Sequence, residues 1–301
     1  MKLLLFAAFP REVREAVHMM GRRTRIHGLP FRAFCVRHPS HTLTVAETGL
    51  GIENATRVFL RMLQTGRFDA VISLGYCGAL SRDASVGDLI WASKICLIEG
   101  ERVETLSLSD DRKLLETLSL RLPIRAGTFL TLKGWMKKQE LVRFVAPDMT
   151  LPVCEMETFG LARLSLHHKL PFFAVRAVSD GADVDLAFDP QEVCDSAGTY
   201  RLTRALRLFL TRPRLLGHAL ALHRSSKIAS HNLARQRAPY FRYCNRGLPL
   251  RKSVPLGHYS PGKILEVRND CLIGRDPMEP GPRERDTQEH RQEHDEDARP
   301  Q

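Results

Sequence analysis

A chain of 301 residues, of which 43% are hydrophobic and 26% charged, has the composition of a globular protein and can bury a large core. The seven cysteines are odd in number and contain no Cys-x-x-Cys pair, which argues against a disulfide framework or a zinc site and favours a reducing, cytoplasmic location. The net charge of +11 says little about the main domain, because the basic excess lies between Asp195 and Glu266, where no acidic residue occurs.

Strand and helix patterns alternate over the first two thirds of the chain. The predicted strands are Leu3–Phe9, Phe31–Val36, Thr42–Glu47, Ala70–Leu74, Leu89–Ser93, Thr128–Leu132 and Phe172–Val178. The predicted helices are Arg11–Met20, Ile52–Gln64, Asp110–Leu120, Trp135–Phe144, Glu157–His167 and Pro190–Leu210. Several strands are continuous apolar runs, as expected when helices cover both faces of a sheet. The pattern predicts an α/β fold: a three-layer α/β/α sandwich around a mixed, mostly parallel central sheet, in one domain spanning residues 1–211.

The chain changes character after this domain. Pro213 ends the last predicted helix, and residues 212–237 are predicted to form an appended basic helix. Two arrangements stay open for it: packing back on the domain, which is favoured, or contact with a membrane surface. Residues 238–301 are rich in Pro, Gly and mixed charge, and this composition predicts a disordered tail.

Two glycine turns and one acid mark the ends of predicted strands, at the edge where open α/β sheets bind ligands. Glu12 follows the first strand in the first turn of a helix, a place that the helix dipole alone would favour for an acid. Gly49 and Leu50 join a strand to a helix, and Gly75 and Tyr76 close another strand. Glycines there let a ligand approach the backbone, although each segment could equally be a plain tight turn.

Two further strand ends carry acids in apolar surroundings. Glu155, Met156 and Glu157 separate an apolar strand from an apolar helix, where a carboxylate is costly to bury without a partner such as the hydroxyls of a ribose. Asp180 ends a strongly apolar strand, directly after Ser179. A half-buried carboxyl at such a place can hold a proton near neutrality and act as a general acid. Surface capping and a simple turn are the alternatives.

Taken in order, these segments resemble the nucleoside phosphorylase/nucleosidase superfamily, and within it the 5′-methylthioadenosine/S-adenosylhomocysteine nucleosidases and the hopanoid-associated phosphorylases. The similar stretches are Met1–Val13, Thr48–Ala55, Val71–Leu80, Val86–Ile90, Cys154–Gly160 and Pro171–Asp183. The family's base-stacking loop is replaced by Lys133–Lys138, and the shortened loop is similar to that of the hopanoid-associated branch, whose substrate is a lipid-linked adenosine.

The resemblance implies three catalytic carboxylates. Protonated Asp180 would donate toward purine N7, Glu157 would hold the ribose hydroxyls and stabilise an oxocarbenium-like sugar, and Glu12 would deprotonate the attacking water. It also implies a substrate-binding set, in which Met156 packs against the nucleoside and Phe188 covers the 5′ substituent. The full set is Gly49, Leu50, Gly75, Tyr76, Glu155, Met156, Arg176, Ser179 and Phe188. No cofactor and no metal is required, and a homodimer is implied.

Where related phosphorylases grip phosphate with an Arg and a Ser, this chain has Ser73 and Tyr76, which favours water as the nucleophile. The favoured function is hydrolysis of a purine (adenine) nucleoside such as methylthioadenosine or S-adenosylhomocysteine, with release of the free base. Two alternatives stay open. One is phosphorolysis of a bulky or lipid-linked adenosine. The other is a non-catalytic protein on this fold that uses the basic segment to bind nucleic acid or a membrane surface, although nucleic acid is not the expected partner.

Overall fold

The computed structural model describes residues 1–10, 12, 14, 22–38, 41–107 and 124–235. Its strands are β1 (Lys2–Ala7), β2 (Arg23–Ile26), β3 (Ala33–His38), β4 (His41–Glu47), β5 (Ala70–Ala79), β6 (Leu89–Glu99), β7 (Arg102–Ser107), β8 (Ile124–Leu132), β9 (Val153–Glu155) and β10 (Phe172–Asp180). Its helices are α1 (Ile52–Leu63), α2 (Lys138–Leu141), α3 (Thr158–His167), α4 (Leu202–Thr211) and α5 (Leu215–Arg235), with 3-10 turns at Val142–Phe144 and Pro190–Val193.

The strands of the described residues form one mixed sheet. Strands β4, β1, β5 and β10 run parallel to one another, and so do β6, β8 and β9. The antiparallel pairs β10–β6 and β5–β9 join these two groups into a ring. Strands β1 and β4 end together, beside the middle of β5 and β10, which continue past them.

Helices cover both faces of the sheet. On one face, Phe59 of α1 and Phe159 of α3 pack with Phe6 of β1 in the main core. On the other face, Ala229 and Leu233 of α5 pack in a second cluster, with Leu89, Trp91, Val175 and Ala177. Successive residues of β10 point alternately to the two layers, as the period of a strand requires. The predicted α/β sandwich with a mixed sheet is confirmed.

The basic helix α5 lies against the sheet. Asn232 Nδ2 donates a hydrogen bond to the Gly87 carbonyl oxygen at 2.9 Å, and the Tyr76 hydroxyl hydrogen-bonds to Ser230 Oγ. These contacts, with the buried Leu233, hold one side of α5 on β10 and β6. No helix among the described residues combines the length and apolarity needed to cross a membrane.

The predicted continuous helix Pro190–Leu210 is wrong. A 3-10 turn ends at Val193, a bridge pairs Cys194 with Tyr200, and α4 begins only at Leu202. The Asp195 side chain accepts hydrogen bonds from the amides of Ala197 and Thr199, at 3.0 and 2.9 Å, and Gly198 has a positive φ of 68°. Such an Asp-centred turn competes with helical hydrogen bonding and interrupts the helix.

Other boundaries differ more modestly from the predictions. The helix expected over Trp135–Phe144 is reduced to α2 and the following 3-10 turn, whereas β5 and β6 are longer than predicted. The short strands β2, β7 and β9 were not predicted. The expected helices Arg11–Met20 and Asp110–Leu120 and the tail 238–301 lie outside the described residues, apart from Glu12 and Arg14.

Candidate active site

A narrow cavity, whose empty volume of about 190 Å³ includes open solvent, lies where β1 ends, beside the middle of β5 and β10. Its charged lining side chains are Glu12, Glu157 and Arg176. The remaining lining residues are Phe6, Ala7, Ala8, Thr48, Ser73, Leu74, Gly75 and Leu161.

Glu12 is buried in the segment that follows β1. Its Oε2 accepts a hydrogen bond from the Phe9 amide at 3.0 Å, and its Oε1 accepts one from the Tyr76 amide at 3.3 Å. Burial raises the pKa of Glu12 to about 7, although these amides and the charge of Arg176 act in the opposite direction. A carboxyl that titrates near neutrality has the property that a general base requires.

Glu157 lies at the beginning of α3, across the cavity from Glu12. Its Oε1 accepts a hydrogen bond from the Gly51 amide at 2.9 Å, which ties it to the turn between β4 and α1. Burial, and then the negative charge of Glu155, raise the pKa of Glu157, while Arg176 lowers it. Hydrogen bonds donated by the hydroxyl groups of a ligand would lower this pKa again and favour the ionised carboxylate.

Arg176 carries a buried donor that no described residue satisfies. Its Nη2 donates to Glu155 Oε2 at 3.0 Å and to Thr158 Oγ1 at 2.9 Å, but its Nε has no hydrogen-bond partner. A Cβ atom built on Gly75 would lie 3.3 Å from this Nε and 3.1 Å from Glu12 Oε1. Because Gly75 has no side chain, both groups can lie close to its backbone, and all three residues line the cavity.

Glu155 is buried and is not among the residues that line the cavity. Its carboxylate oxygens accept hydrogen bonds from protein donors only. Besides Arg176, it accepts hydrogen bonds from the amides of Glu157 and Thr158, at 3.0 and 2.9 Å, and from the hydroxyls of Thr158 and Thr131. The pair Glu155–Arg176 fixes the start of α3 and the guanidinium plane. It thereby positions the two groups that reach the cavity.

Asp180 lies at the end of β10 and is not among the residues that line the cavity. Its Oδ1 is 2.6 Å from Ser179 Oγ, and its Oδ2 forms a buried ion pair with Lys138 Nζ. The same Nζ donates to the carbonyl oxygens of Gly181, at 2.7 Å, and of Asp180, at 3.3 Å. The structure thus brings Glu12 and Glu157 together and places Asp180 beside a cation.

The remaining predicted residues surround this centre. Gly49 has a positive φ of 74°, and a Cβ there would collide with the Ala197 carbonyl oxygen, so its close approach is to the protein backbone. Met156 packs in a buried cluster that Leu50 also contacts. Phe188 packs edge-on against Phe209 of α4, with ring centroids 6.3 Å apart. The ring of Tyr76 packs toward α5 while its amide faces Glu12. Their binding roles stay predictions.

Sequence reasoning missed Lys138. The pair Lys137-Lys138 resembles ordinary surface charge, and Lys137 is indeed exposed, whereas Lys138 is buried. The available signal was weak: Lys138 precedes the buried Leu141 by three residues, which puts both on one side of a helical turn.

Comparison with known proteins supplies a second line of observation. The family model described as the phosphorylase superfamily matches residues 2–210. An aminodeoxyfutalosine nucleosidase of Campylobacter jejuni is 23% identical over 208 residues, which are 64% of this chain and 91% of that protein. A 5′-methylthioadenosine/S-adenosylhomocysteine nucleosidase of Chromohalobacter salexigens is 26% identical over 227 residues, which are 66% of this chain and 92% of that protein.

A solved structure extends the likeness to the fold. The 5′-methylthioadenosine/S-adenosylhomocysteine nucleosidase of Neisseria meningitidis, in complex with methylthio-immucillin-A, superposes with a TM-score of 0.60. The superposition covers 80% of this chain and 99% of that chain, at 17% sequence identity. At this identity the likeness concerns the fold.

Proposed function

The chain belongs to the phosphorylase superfamily, and we propose that it hydrolyses the N-glycosidic bond of a purine nucleoside. The proposed substrate is an adenine nucleoside such as methylthioadenosine or S-adenosylhomocysteine, and the products are the free base and the free sugar. One observation carries the proposal: Glu12, Glu157 and the unsatisfied Arg176 Nε belong to one small cavity. The nucleosidase names of the similar proteins from Campylobacter and Chromohalobacter support the same reaction class.

The attacking water is proposed to lie in the cavity beside Gly75. There it would accept a hydrogen bond from Arg176 Nε, which no described residue satisfies, and donate one to Glu12 Oε1. Because burial raises the pKa of Glu12 to about 7, the ionised carboxylate is basic enough to take the proton as the water attacks the sugar carbon.

Glu157 is proposed to hold the sugar. The ribose hydroxyls would donate to its carboxylate, and their hydrogen bonds would favour the ionised form that burial alone disfavours. As the glycosidic bond breaks, positive charge develops on the sugar ring, and a nearby carboxylate stabilises it electrostatically. Asp180 is proposed to serve the departing base, as its general acid.

The charge of the cavity favours water over phosphate as the nucleophile. Among the residues lining the cavity, Arg176 is the sole cation, and its charge is balanced by Glu155. A phosphate dianion would therefore meet two carboxyl groups, Glu12 and Glu157, without a free cation to offset the repulsion. Phosphorolysis of a bulky or lipid-linked adenosine is the alternative that the phosphate dependence of the reaction tests.

The deciding experiment incubates the purified chain with methylthioadenosine, S-adenosylhomocysteine and adenosine, each with and without phosphate. We expect release of free adenine and free sugar at a rate that phosphate does not change. The Glu12→Gln variant serves as the matched control for contaminating activity. A strict requirement for phosphate, with a sugar 1-phosphate product, would replace hydrolysis by phosphorolysis, and the absence of any released base would overturn the proposal.

We further propose that the protein acts in the cytoplasm as a homodimer, with residues 1–211 as catalytic domain and 212–237 as an appended helix. Leu202, Leu206 and Leu210 of α4 are exposed at four-residue spacing, and Phe209 of the same helix contacts Phe188. An exposed apolar row of this kind fits a partner surface. Light scattering should give a dimer for the native chain and a monomer for Leu206→Glu; binding to anionic vesicles instead would assign the row to a membrane.

A further inference from the structure

The Asp180–Lys138 ion pair is buried at the position proposed for the general acid. The two side chains are 7% and 8% exposed. Gly78 makes room for the pair, since a Cβ there would lie 2.7 Å from Asp180 Oδ2 and 2.8 Å from Lys138 Cε. Three acceptors surround Lys138 Nζ, namely Asp180 Oδ2 and the carbonyls of Asp180 and Gly181. The three protons of the ammonium can thus all be donated to acceptors of Asp180 and Gly181.

This pairing conflicts with a general acid that acts alone. A carboxylate in contact with an ammonium is most stable when it is ionised, and an ionised carboxylate has no proton to give. The labile proton of the pair is then on Lys138 Nζ. When that proton moves to Asp180 Oδ2, the result is a neutral amine and a neutral carboxylic acid, a state that a buried site accommodates at lower desolvation cost than two charges.

We propose that Lys138 and Asp180 act as one proton-donating unit, in which Lys138 is a positioning residue that recharges Asp180 with the proton destined for the base. The proposal rests on the proposed function. Asp180 is the group that contacts the substrate, and Lys138 acts through it. Ser179 holds the other carboxylate oxygen, so that Oδ2 is the atom that receives and passes on the proton.

The step balances as follows. The bond between the sugar carbon and the purine nitrogen breaks, and its electron pair goes to the purine. The purine takes a proton from Asp180 Oδ2, which takes one from Lys138 Nζ, and Lys138 is left as a neutral amine. The attacking water gives its hydroxide to the sugar carbon and its proton to Glu12. Proton exchange with solvent then discharges Glu12 and recharges Lys138, so that one water is consumed and no oxidant or reductant is required.

The groups around the Asp180–Lys138 pair do not compete with it as proton donors. Cys77 is buried and Cys154 is half-buried near Asp180, and desolvation raises the pKa of each thiol, so that both stay neutral. The Asp185 carboxylate accepts the backbone amide of Lys138 at 2.7 Å and thereby fixes the start of α2. Glu155 is already paired with Arg176.

Two substitutions separate proton supply from charge and packing. Lys138→Met removes the charge and the proton at similar length. Lys138→Arg keeps the positive charge but holds a guanidinium that does not lose its proton in proteins. Lys137→Met, at the exposed neighbouring lysine, is the matched control. Each full-length variant is assayed with methylthioadenosine and with 4-nitrophenyl riboside, whose leaving group departs as a stable anion and needs no proton.

We expect Lys138→Met and Lys138→Arg each to lower kcat for methylthioadenosine by ~10²–10⁴-fold while changing KM little, since general acid help has about that value. Both should cleave 4-nitrophenyl riboside within a few-fold of the native rate, which also shows that they are folded. Lys137→Met should leave both substrates unaffected.

Three results would overturn the proposal. A Lys138→Arg variant with native turnover of methylthioadenosine would reduce Lys138 to a fixed charge. Equal losses of kcat on both substrates would show that Lys138 has only a structural role. A native chain that cleaves no purine nucleoside would remove the proposed function, and the proton-donating unit with it. In contrast, an active native chain with unaffected Lys138 variants would remove the proton-donating unit alone.

Discussion

Four carboxyl groups of equal burial lie at one edge of the sheet, yet they fall into two kinds. Glu155 and Asp180 each contact a buried cation, Arg176 and Lys138. Glu12 and Glu157 accept hydrogen bonds from backbone amides, and the described residues give neither of them an ion pair. All four are between 5% and 7% exposed, so burial does not distinguish them.

The partners therefore decide what each carboxyl group can do. A buried carboxylate in contact with a cation is held in place and acts together with that cation: Glu155 fixes Arg176, and Asp180 is proposed to pass on a proton from Lys138. A buried carboxyl group with amide donors alone keeps a raised pKa and can exchange a proton near neutrality. In this molecule the first kind lies behind or beside the cavity, and the second kind lines it.

The largest expected effect is on catalysis by the cavity carboxyl groups. Glu12→Gln and Glu157→Gln preserve shape and amide contacts but cannot carry the negative charge that base catalysis and sugar stabilisation require. We expect kcat for methylthioadenosine to fall by ~10²–10⁴-fold in each variant. Steady-state kinetics of adenine release measures the loss. Turnover within a few-fold of native in either variant would contradict the division into two kinds of carboxyl group.

The next largest effect is on stability, and it concerns the carboxyl groups that are paired with a buried cation. Glu155→Gln leaves Arg176 as a buried cation without its counter-charge, and we expect the free energy of unfolding to drop by ~3–5 kcal/mol. Urea denaturation followed by circular dichroism measures it, with Lys137→Met, at an exposed residue, as the control. If Glu155→Gln unfolds at the same urea concentration as that control, Glu155 is not the structural group that its contacts indicate.

The comparison also predicts a pH dependence of activity. Glu12, with a pKa of about 7, and Glu157, with a pKa of about 8, must both be ionised, so kcat/KM should rise with pH up to about 8 and level off above it, with the steeper fall below pH 7. Initial rates at subsaturating substrate between pH 5 and 9 give the profile. An acidic limb centred near the ordinary value of a glutamate, 4.5, would exclude Glu12 as the base.

The smallest effect concerns stability against pH. The folded pKa of Glu12 lies above its unfolded value of 4.5, so the folded chain binds more protons between pH 4.5 and 7 and loses stability as the pH rises through that window. Glu12→Gln does not titrate there and should be more stable than the native chain at pH 8 by about 1–3 kcal/mol. Thermal unfolding of both proteins at pH 5 and pH 8 tests the sign of this effect. A Glu12→Gln variant that is less stable than the native chain at pH 8 would contradict the prediction.

Much of this arrangement follows from local sequence. The apolar runs of β1, β5 and β10 require a sheet covered on both faces, and the strand-to-helix alternation makes its central strands parallel. Glycines and acids at the predicted strand ends could therefore be chosen as site residues without coordinates, and Glu12, Gly75 and Glu157 do line one cavity. They do not meet there as ends of parallel strands, since Gly75 lies inside β5 and Glu157 follows β9, which is antiparallel to β5.

Only the tertiary structure decided which acids are paired. The parallel register of β8 and β9 sets Thr131 opposite Glu155, and that of β10 and β5 sets Arg176 opposite Gly75. Lys138 reaches Asp180 from a turn 42 residues earlier in the chain. Ion pairing depends on distances of a few ångströms between segments remote in sequence, and no local pattern encodes them. The local sequence therefore located the carboxyl groups, and the fold divided them into two that are paired with a cation and two that line the cavity.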